Sequence, residues 1–223
     1  MKLRLAINAA TKFVLGVVFV ALLLFVPAGT FYFFNAWLLI ALLFIPMFLL
    51  GVVLLWRSPE LLQKRLEAKE REKTQKSVVG FSGMLFVIGF IIAGLDFRFG
   101  WSSVPAFIVV IASVILLISY LLYAEVMREN AYLSRTVKVQ EGQTVIDRGM
   151  YRIVRHPMYA VTLVLFISFS LVLGSLWSFL CFLCFIPLFV VRIINEEILL
   201  TEKLNGYSQY CFKVKYRLIP FIW

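Results

Sequence analysis

Long apolar runs separated by short polar segments constrain the fold of this chain more than any other feature. A hydrocarbon core about 30 Å thick needs roughly 20 helical residues for each crossing. Six runs approach that length, and they cover residues 13–34, 37–56, 78–95, 104–124, 159–173 and 176–191. Hydrophobic residues make up 62% of the 223 and charged residues 15%, whereas soluble domains average roughly half and a quarter. The sequence therefore predicts an all-α, polytopic transmembrane helical bundle of about six spans.

The chain is expected to form one structural domain in two parts. Residues 1–125 should hold the N-terminal transmembrane helices and an interfacial loop, 57–77, in which Ser58-Pro59-Glu60 is typical of a helix start. Residues 126–223 should carry the functional groups. Here the last two apolar runs are short, and only Gly174-Ser175 divides them. They predict a tight helical hairpin that just reaches the far side of the bilayer, or a re-entrant pair.

The distribution of Lys and Arg orients these spans. Of the 22 basic residues, 21 lie in segments that an even number of spans places on one side of the membrane, and only Arg98 lies on the other. Because loops retained in the cytoplasm are enriched in Lys and Arg, both termini and the long polar segments are predicted to be cytoplasmic. The net charge of +10 reflects this asymmetry and suits anionic membrane lipids as partners. No nucleic-acid partner is expected.

The polar segment between the fourth and fifth runs is longer than neighbouring helices require. Residues 137–147 alternate apolar and polar side chains around Gly142, which predicts a short extended or hairpin stretch. Further on, Pro157 fits the first position of the fifth helix, so His156 occupies its N-cap. A helix N-terminus attracts carboxylates and phosphates, and Arg155 adds a planar fork for the same anions. This corner is predicted to bind an anion, even though a single histidine is more often structural than catalytic.

A second polar group follows the sixth run. Arg192 and Glu196 are four residues apart, so they share a helix face, and Glu197 is adjacent. Because the hairpin returns the chain to the side that it left, these side chains are predicted to meet Arg155 and His156. Two carboxylates, an anion-binding corner and several tyrosines could together hold a zwitterion, with aromatic rings against a cationic centre. S-adenosylmethionine is such a ligand.

Motifs for several other chemistries are missing from the sequence. There is neither a glycine-rich dinucleotide fingerprint nor a Walker A motif, so nucleotide sites of those kinds are unsupported. Cys181 and Cys184 form a C-x-x-C, but it lies inside an apolar run without a second pair of ligands. They are interpreted as packing residues, and no metal site is expected.

Three motifs carry a resemblance to a known family. They are Gly149-Met150-Tyr151-Arg152-Ile153-Val154-Arg155-His156-Pro157-Met158-Tyr159, then Glu196-Glu197 followed by Leu200, and Gly206-Tyr207-Ser208-Gln209-Tyr210 with the closing Tyr216-Arg217-Leu218-Ile219-Pro220. On these residues, roughly the last 100 of the chain, the sequence resembles the isoprenylcysteine carboxyl methyltransferase family, which is related to membrane phospholipid methyltransferases. One departure is Met150, where the family usually has proline. Upstream, Pro59-Glu60-Leu61-Leu62, Gln75-Lys76 and Glu129-Asn130 are similar to the bacterial branch, so a bacterial inner membrane is the expected location.

The resemblance implies an integral membrane methyltransferase that uses S-adenosylmethionine at its cytoplasmic face. The acceptor would be lipophilic, namely the carboxylate of an isoprenylcysteine-like or other lipid-linked substrate. The implied cofactor-binding residues are Tyr151, Arg155, His156, Pro157, Tyr159, Glu196, Glu197 and Tyr207. The implied catalytic residues are Arg155, Arg192 and Glu197, with the two arginines orienting the acceptor carboxylate. Alignment and water exclusion should dominate catalysis, because a nucleophile that is already an anion needs no base.

Three other functions stay open at this point. A phospholipid amine could be the acceptor in place of a carboxylate, and a sterol-reductase-like enzyme could bind NADPH beside a similar Arg-His-Pro motif. The chain could also be a non-enzymatic transporter or assembly factor. Against that last function, no ionisable residue lies deep within a predicted span, as an ion path would commonly require. The oligomeric state is left open.

Overall fold

The computed structural model describes residues 2–66, 73–133 and 139–223, and within these the regular structure is helical. The helices are α1 (Lys2–Ala28), α2 (Phe34–Arg57), α3 (Pro59–Leu66), α4 (Lys73–Phe99), α5 (Ala106–Glu129), α6 (Pro157–Leu173), α7 (Leu176–Leu183), α8 (Phe185–Lys203) and α9 (Tyr207–Lys213), with a 3₁₀ turn at Gly149–Arg152. The described residues contain no strand. The predicted all-α class is confirmed.

The long helices fall on the predicted apolar runs. Five are long and apolar enough to cross a membrane: Leu3–Ala28, Phe34–Arg57, Lys76–Phe99, Ala106–Glu129 and Leu176–Lys203, the last comprising α7 and α8. A shorter apolar helix, Pro157–Leu173, corresponds to the fifth predicted run. The helices are longer than the runs at their polar ends, because Lys, Arg, Glu and Gln are good helix formers although they are not apolar. The sixth run ends at residue 191, whereas α8 continues to Lys203.

The bundle has two ends. Loops 29–33, 100–105 and 174–175 lie together at what we call the far end. There Asn35 Nδ2 donates to the Leu173 carbonyl at 3.4 Å, and the rings of Phe33 and Phe97 stack with centroids 4.2 Å apart. The segments that follow α2, α5 and α8 lie at the opposite end, called the site end below. The even alternation of spans that separated Arg98 from the other basic residues therefore agrees with the fold.

Asp96 lies at the far end in the last turn of α4, beyond the predicted limit of the third span. Its side chain is 1% exposed, and its carboxylate accepts hydrogen bonds from the Ser102 amide at 2.7 Å and the Ser102 hydroxyl at 2.6 Å. The Ser175 hydroxyl donates to the same carboxylate. Two serines therefore satisfy this buried carboxylate inside the protein, just beyond the end of the predicted third span.

The predicted helical hairpin is confirmed. Gly174 ends α6 with a φ of +80°, which a residue with a Cβ would adopt only under strain. Ser175 then caps α7, because its hydroxyl accepts the Ser178 amide at 3.0 Å. Since Ser175 also binds Asp96, the two-residue turn is fixed to the end of α4.

A phenylalanine cluster holds the hairpin against the rest of the bundle. It joins α4, α6, α7 and α8, and its fully buried members are Phe90, Phe169, Phe182 and Phe185. Gly89 lets α4 approach this cluster, because an added Cβ would lie 2.8 Å from the Phe182 ring. Gly94 brings α4 close to α1 in the same way, since an added Cβ there would lie 2.6 Å from the Leu24 carbonyl oxygen. These contacts fix the register in which α6 and α8 reach the site end.

The predicted extended or hairpin stretch at 137–147 contains a turn and no hairpin in its described part. Residues 137 and 138 lie outside the described residues, and 139–147 contain no paired strand. Gly142 adopts a φ of +68°, and the Gln143 amide donates to the Gln140 carbonyl at 3.1 Å. The Gln140 amide is taken by the Gln143 side chain at 2.9 Å rather than by a partner strand. Side-chain bonding has replaced the ladder that alternation suggested.

Candidate active site at the site end of the bundle

Glu197 is the meeting point of two arginine side chains and one histidine side chain. Its Oε1 lies 3.0 Å from Arg155 Nε and 3.2 Å from His156 Nε2, and its Oε2 accepts from Arg217 Nε at 2.7 Å. The Arg155, His156 and Glu197 side chains are 8%, 6% and 11% exposed. Because an ionised carboxylate only accepts hydrogen bonds, His156 Nε2 carries the proton in this contact. The prediction that α8 returns Glu197 to Arg155 and His156 is confirmed.

The C-terminal segment completes this arrangement through its backbone. The amide of Arg155 donates to the Tyr216 carbonyl, and the amide of His156 donates to the Arg217 carbonyl, both at 2.9 Å. The amide of Arg217 donates to the Trp223 backbone oxygen at 2.8 Å, and its guanidinium carbon lies 5.3 Å from the centre of the Trp223 indole. The position of Arg217 is therefore set by main-chain bonds on both sides.

His156 occupies the N-cap of α6 and Pro157 its first turn, as the sequence predicted. The imidazole does not cap its own helix but points to Glu197 on α8. Pro157 is buried in this turn and does not line the cavity described below. Its role in the structure is to fix the backbone that presents Arg155 and His156.

Glu196 belongs to a different contact set from its neighbour. The Tyr159 hydroxyl donates to Glu196 Oε2 at 2.6 Å and accepts from Arg192 Nε at 2.8 Å. Successive helical residues point about 100° apart, so the two glutamates of α8 face different surroundings. Glu196 faces Tyr159 on α6, and Glu197 faces the loop before α6.

Tyr151 forms a rigid wall beside these groups. Its hydroxyl accepts from Asn130 Nδ2 at 3.0 Å, and its carbonyl accepts the Tyr210 hydroxyl at 2.7 Å. The buried Glu129 carboxylate accepts the Met150 amide, with its oxygens at 3.0 and 3.1 Å. Gly149 makes this possible, since a Cβ there would lie 1.4 Å from Glu129 Oε1. Burial raises the pKa of Tyr151, so the phenol stays protonated.

A cavity of about 490 Å³ opens among these residues. The predicted site residues that line it are Tyr151, Arg155, His156, Tyr159, Arg192, Glu196 and Tyr207. Glu197 does not line it, because its carboxylate is enclosed by Arg155, His156 and Arg217. The structure therefore places Glu197 and Pro157 behind the site residues rather than among them.

The cavity has a polar part and an apolar part. The apolar part is lined by Phe166, Phe185 and Phe189 and reaches Val79 of α4, whose side chain is 43% exposed on the outer surface of the bundle. Sequence reasoning treated these phenylalanines only as span residues, since composition alone does not show which face of a helix lines a cavity. It also missed Arg65 of α3, which lines the polar part.

Two polar atoms of the lining are buried without a hydrogen bond among the described residues, Arg155 Nε and the Tyr207 hydroxyl. Arg155 Nε is close enough to Glu197 for an ion pair but is not aligned for a hydrogen bond. Tyr207 is 4% exposed, and burial raises its pKa, so its hydroxyl remains a donor. Since buried polar groups are nearly always paired, the Tyr207 hydroxyl marks a position where a ligand would complete the site.

A comparison with protein families agrees with this geometry. The family model described as phospholipid methyltransferase matches residues 107–206. In this region, a little under half of the chain, the sequence is similar to the phospholipid methyltransferase family. The family region runs from α5 to the start of α9, so it contains the N-terminus of α6 and the whole of α8. The match confirms the predicted resemblance, and with the apolar helices it supports a membrane methyltransferase.

Replacing Glu197 by glutamine should destabilise the protein, because it leaves the buried Arg155 guanidinium without its counter-ion. Removing one partner from a buried ion pair costs roughly 3–5 kcal/mol. Glu202→Gln is the matched control, since it makes the same change at an exposed position of α8. Thermal unfolding in detergent should show a clearly lower unfolding temperature for Glu197→Gln and almost no change for Glu202→Gln. Equal, small effects of the two substitutions would contradict the central role of Glu197.

Proposed function

We propose that the cavity binds S-adenosylmethionine and that the protein transfers its methyl group to a lipophilic acceptor from the bilayer. The observation that carries this proposal is the buried, unpartnered hydroxyl of Tyr207 in a cavity that lies largely within a methyltransferase family region. When bound, S-adenosylmethionine supplies an electrophilic methyl group on a positively charged sulfur. The residues described above supply binding, orientation and exclusion of water.

The residues present fit this cofactor. A cavity of about 490 Å³ lies in the range of roughly 300–1,000 Å³ that small-molecule sites occupy. The lining offers Glu196 for an ammonium group and Arg155 for a carboxylate. The ring of Tyr159 offers an electron-rich face to a cationic centre. The free donor of Tyr207 can complete the polar contacts.

The apolar part of the cavity suits the acceptor. Phe166, Phe185 and Phe189 line it, and exposed Val79 brings it to the lipid-facing surface. A lipid chain could therefore enter sideways from the bilayer and place its headgroup at the polar part. Since the phenylalanine cluster closes the far side, water is excluded from the reacting atoms on that side.

We propose that the acceptor is a carboxylate of an isoprenylcysteine-like or other lipid-linked substrate. Arg65, Arg155 and Arg192 line the cavity and can orient such an anion. No base is then needed, since the attacking oxygen already carries the negative charge and the methyl ester that forms releases no proton. Glu197 acts in this scheme as a positioning residue for Arg155 and His156.

A phospholipid amine is the second candidate acceptor, and the description of the matching family favours it. Glu196 lines the cavity and could hold a cationic headgroup. The amine attacks only in its neutral form, so the ammonium headgroup first gives one proton to water, and the product carries the positive charge as an alkylammonium. The two acceptors therefore leave chemically different products.

Tyr207→Phe should weaken cofactor binding without weakening the fold. The hydroxyl has no hydrogen-bond partner among the described residues, so its removal should leave thermal stability equal or higher. Losing a bond to a charged ligand costs about 1.5–3 kcal/mol, or tenfold and more in the dissociation constant. Calorimetric titration of S-adenosylmethionine into detergent-solubilised protein measures this.

Tyr210→Phe is the control for that experiment, because its hydroxyl is already bonded to the Tyr151 carbonyl. It should lower stability and leave the dissociation constant nearly unchanged. The proposal fails if the wild-type protein binds no S-adenosylmethionine, or if Tyr207→Phe binds it as tightly as wild type. Preferential binding of NADPH would support a reductase instead.

The acceptor class can be read from the stability of the labelled product. Protein in vesicles should transfer labelled methyl groups from S-adenosylmethionine to S-farnesylcysteine with a blocked amino group. The product is a methyl ester, from which mild alkali releases labelled methanol. Phosphatidylethanolamine vesicles would instead give an N-methylated headgroup, from which alkali releases no labelled methanol. Alkali-labile product is the expected result. If all of the transferred label resists alkali, the amine is the acceptor.

A further inference from the structure

Arg65 brings a cation into the cavity from outside the family region. It lies near the end of α3, the short helix between α2 and α4, whereas the family match begins at residue 107. Its guanidinium lines the cavity and lies 5.2 Å from the centre of the Tyr123 ring. It donates to the Tyr123 hydroxyl and makes a long contact of 3.6 Å to Met158 Sδ.

The position of Arg65 is fixed by the anchoring of α3. Leu61 and Leu62 are buried, at 8% and 6% exposure, so one face of this helix is held against the bundle. Lys12 Nζ donates to the Leu66 carbonyl at 2.8 Å, which satisfies an end of the helix next to Arg65. The guanidinium is therefore presented to the cavity by a helix that is packed and capped.

The charge of Arg65 is not neutralised by any carboxylate of the described residues. Its contacts, the Tyr123 hydroxyl and the Met158 sulfur, are both neutral. The other two arginines of the lining differ in this respect. Arg155 lies against Glu197, and Arg192 shares the Tyr159 hydroxyl with Glu196. Of these three arginines, Arg65 is the one whose positive charge is not balanced by a nearby carboxylate of the described residues.

Arg65 also lies beside the path that a lipid would take. Met158 belongs to the first turn of α6, and Thr162, one turn further, lines the cavity together with Val79 and Phe166. A guanidinium at the interface next to an apolar channel matches an amphiphile with an anionic headgroup and a hydrocarbon chain. A guanidinium holds carboxylates and phosphates in the same bidentate way.

We propose that Arg65 anchors the acceptor, by binding an anionic headgroup, carboxylate or phosphate, of an amphiphile whose chain lies in the apolar part of the cavity. This proposal rests on the proposed function, in which the bound amphiphile is the methyl acceptor. Binding of the amphiphile can nevertheless be measured without methyl transfer. Arg65 would then select anionic over neutral lipids, and the affinity for the cofactor would not depend on Arg65.

The experiment compares three probes of equal chain length: oleate, oleyl phosphate and oleyl alcohol. Each is titrated into purified protein at a fixed concentration of a neutral detergent, and the rise in unfolding temperature gives an apparent dissociation constant. The wild type should bind oleate or oleyl phosphate about tenfold more tightly than oleyl alcohol. Whichever anion binds more tightly identifies the headgroup chemistry.

Arg65→Ala should abolish that tenfold preference and leave the affinity for S-adenosylmethionine unchanged. Arg65→Lys keeps the charge without the planar fork, so it should retain part of the preference for the anionic probes. It thereby separates loss of the charge from a general effect of replacing Arg65. Arg57→Ala is the matched control, since it removes an exposed arginine at the end of α2 that does not line the cavity. It should retain the full preference.

Two results would overturn the role of Arg65. One is equal binding of the three probes by the wild type, or an undiminished preference for the anionic probes in Arg65→Ala. The other is an Arg65→Ala protein that loses S-adenosylmethionine but keeps the preference for anions, because Arg65 would then serve the cofactor. Absence of S-adenosylmethionine binding in the wild type would refute the proposed function alone, and the probe titration would still decide on Arg65.

Discussion

The contact of Glu197 with Arg155, His156 and Arg217 is the interaction on which the site depends. It joins α8 to the loop before α6 through Arg155 and His156, and to the C-terminal segment through Arg217. A carboxylate at the membrane interface is costly to bury unless it is paired, so these segments can separate only by exposing or orphaning charge. The position of each ligand-facing group follows from this requirement.

Two buried carboxylates hold the α6–α8 hairpin from opposite ends. Asp96 binds the turn at the far end through Ser175, and Glu197 binds the opening at the site end. Between them the phenylalanine cluster fills the interior. In a bilayer, where few water molecules can satisfy polar groups, such internal pairing is the main way to fix polar positions. The hairpin therefore behaves as a rigid frame for the cavity.

Much of this arrangement could be predicted from local rules. A proline after His156 predicted the start of α6, and two short apolar runs around Gly174-Ser175 predicted the hairpin. The hairpin in turn predicted that α8 would return its glutamates to the side of Arg155, since helix length fixes where a chain comes back. These expectations rest on helix geometry and on the thickness of a bilayer, which are general.

Other features depended on contacts that spacing does not reveal. Sequence alone gave no rotational phase for α8, so it could not tell that Glu196 faces the cavity while Glu197 is enclosed behind it. Arg65 lies 90 residues before Arg155 by their numbers, and only tertiary packing brings both to one cavity. Asp96 lay beyond the apolar run, and the serines that satisfy its carboxylate come from two separate loops.

The central claim is that the loop before α6 and the face of α8 form one cofactor pocket. Ultraviolet cross-linking of tritium-labelled S-adenosylmethionine, followed by peptide mapping, tests it most directly. The account predicts label in peptides that contain Tyr151 to Tyr159 or Arg192 to Tyr207, and loss of that label with excess unlabelled cofactor. Competed label confined to α1 and α2, with none in those two peptides, would contradict it.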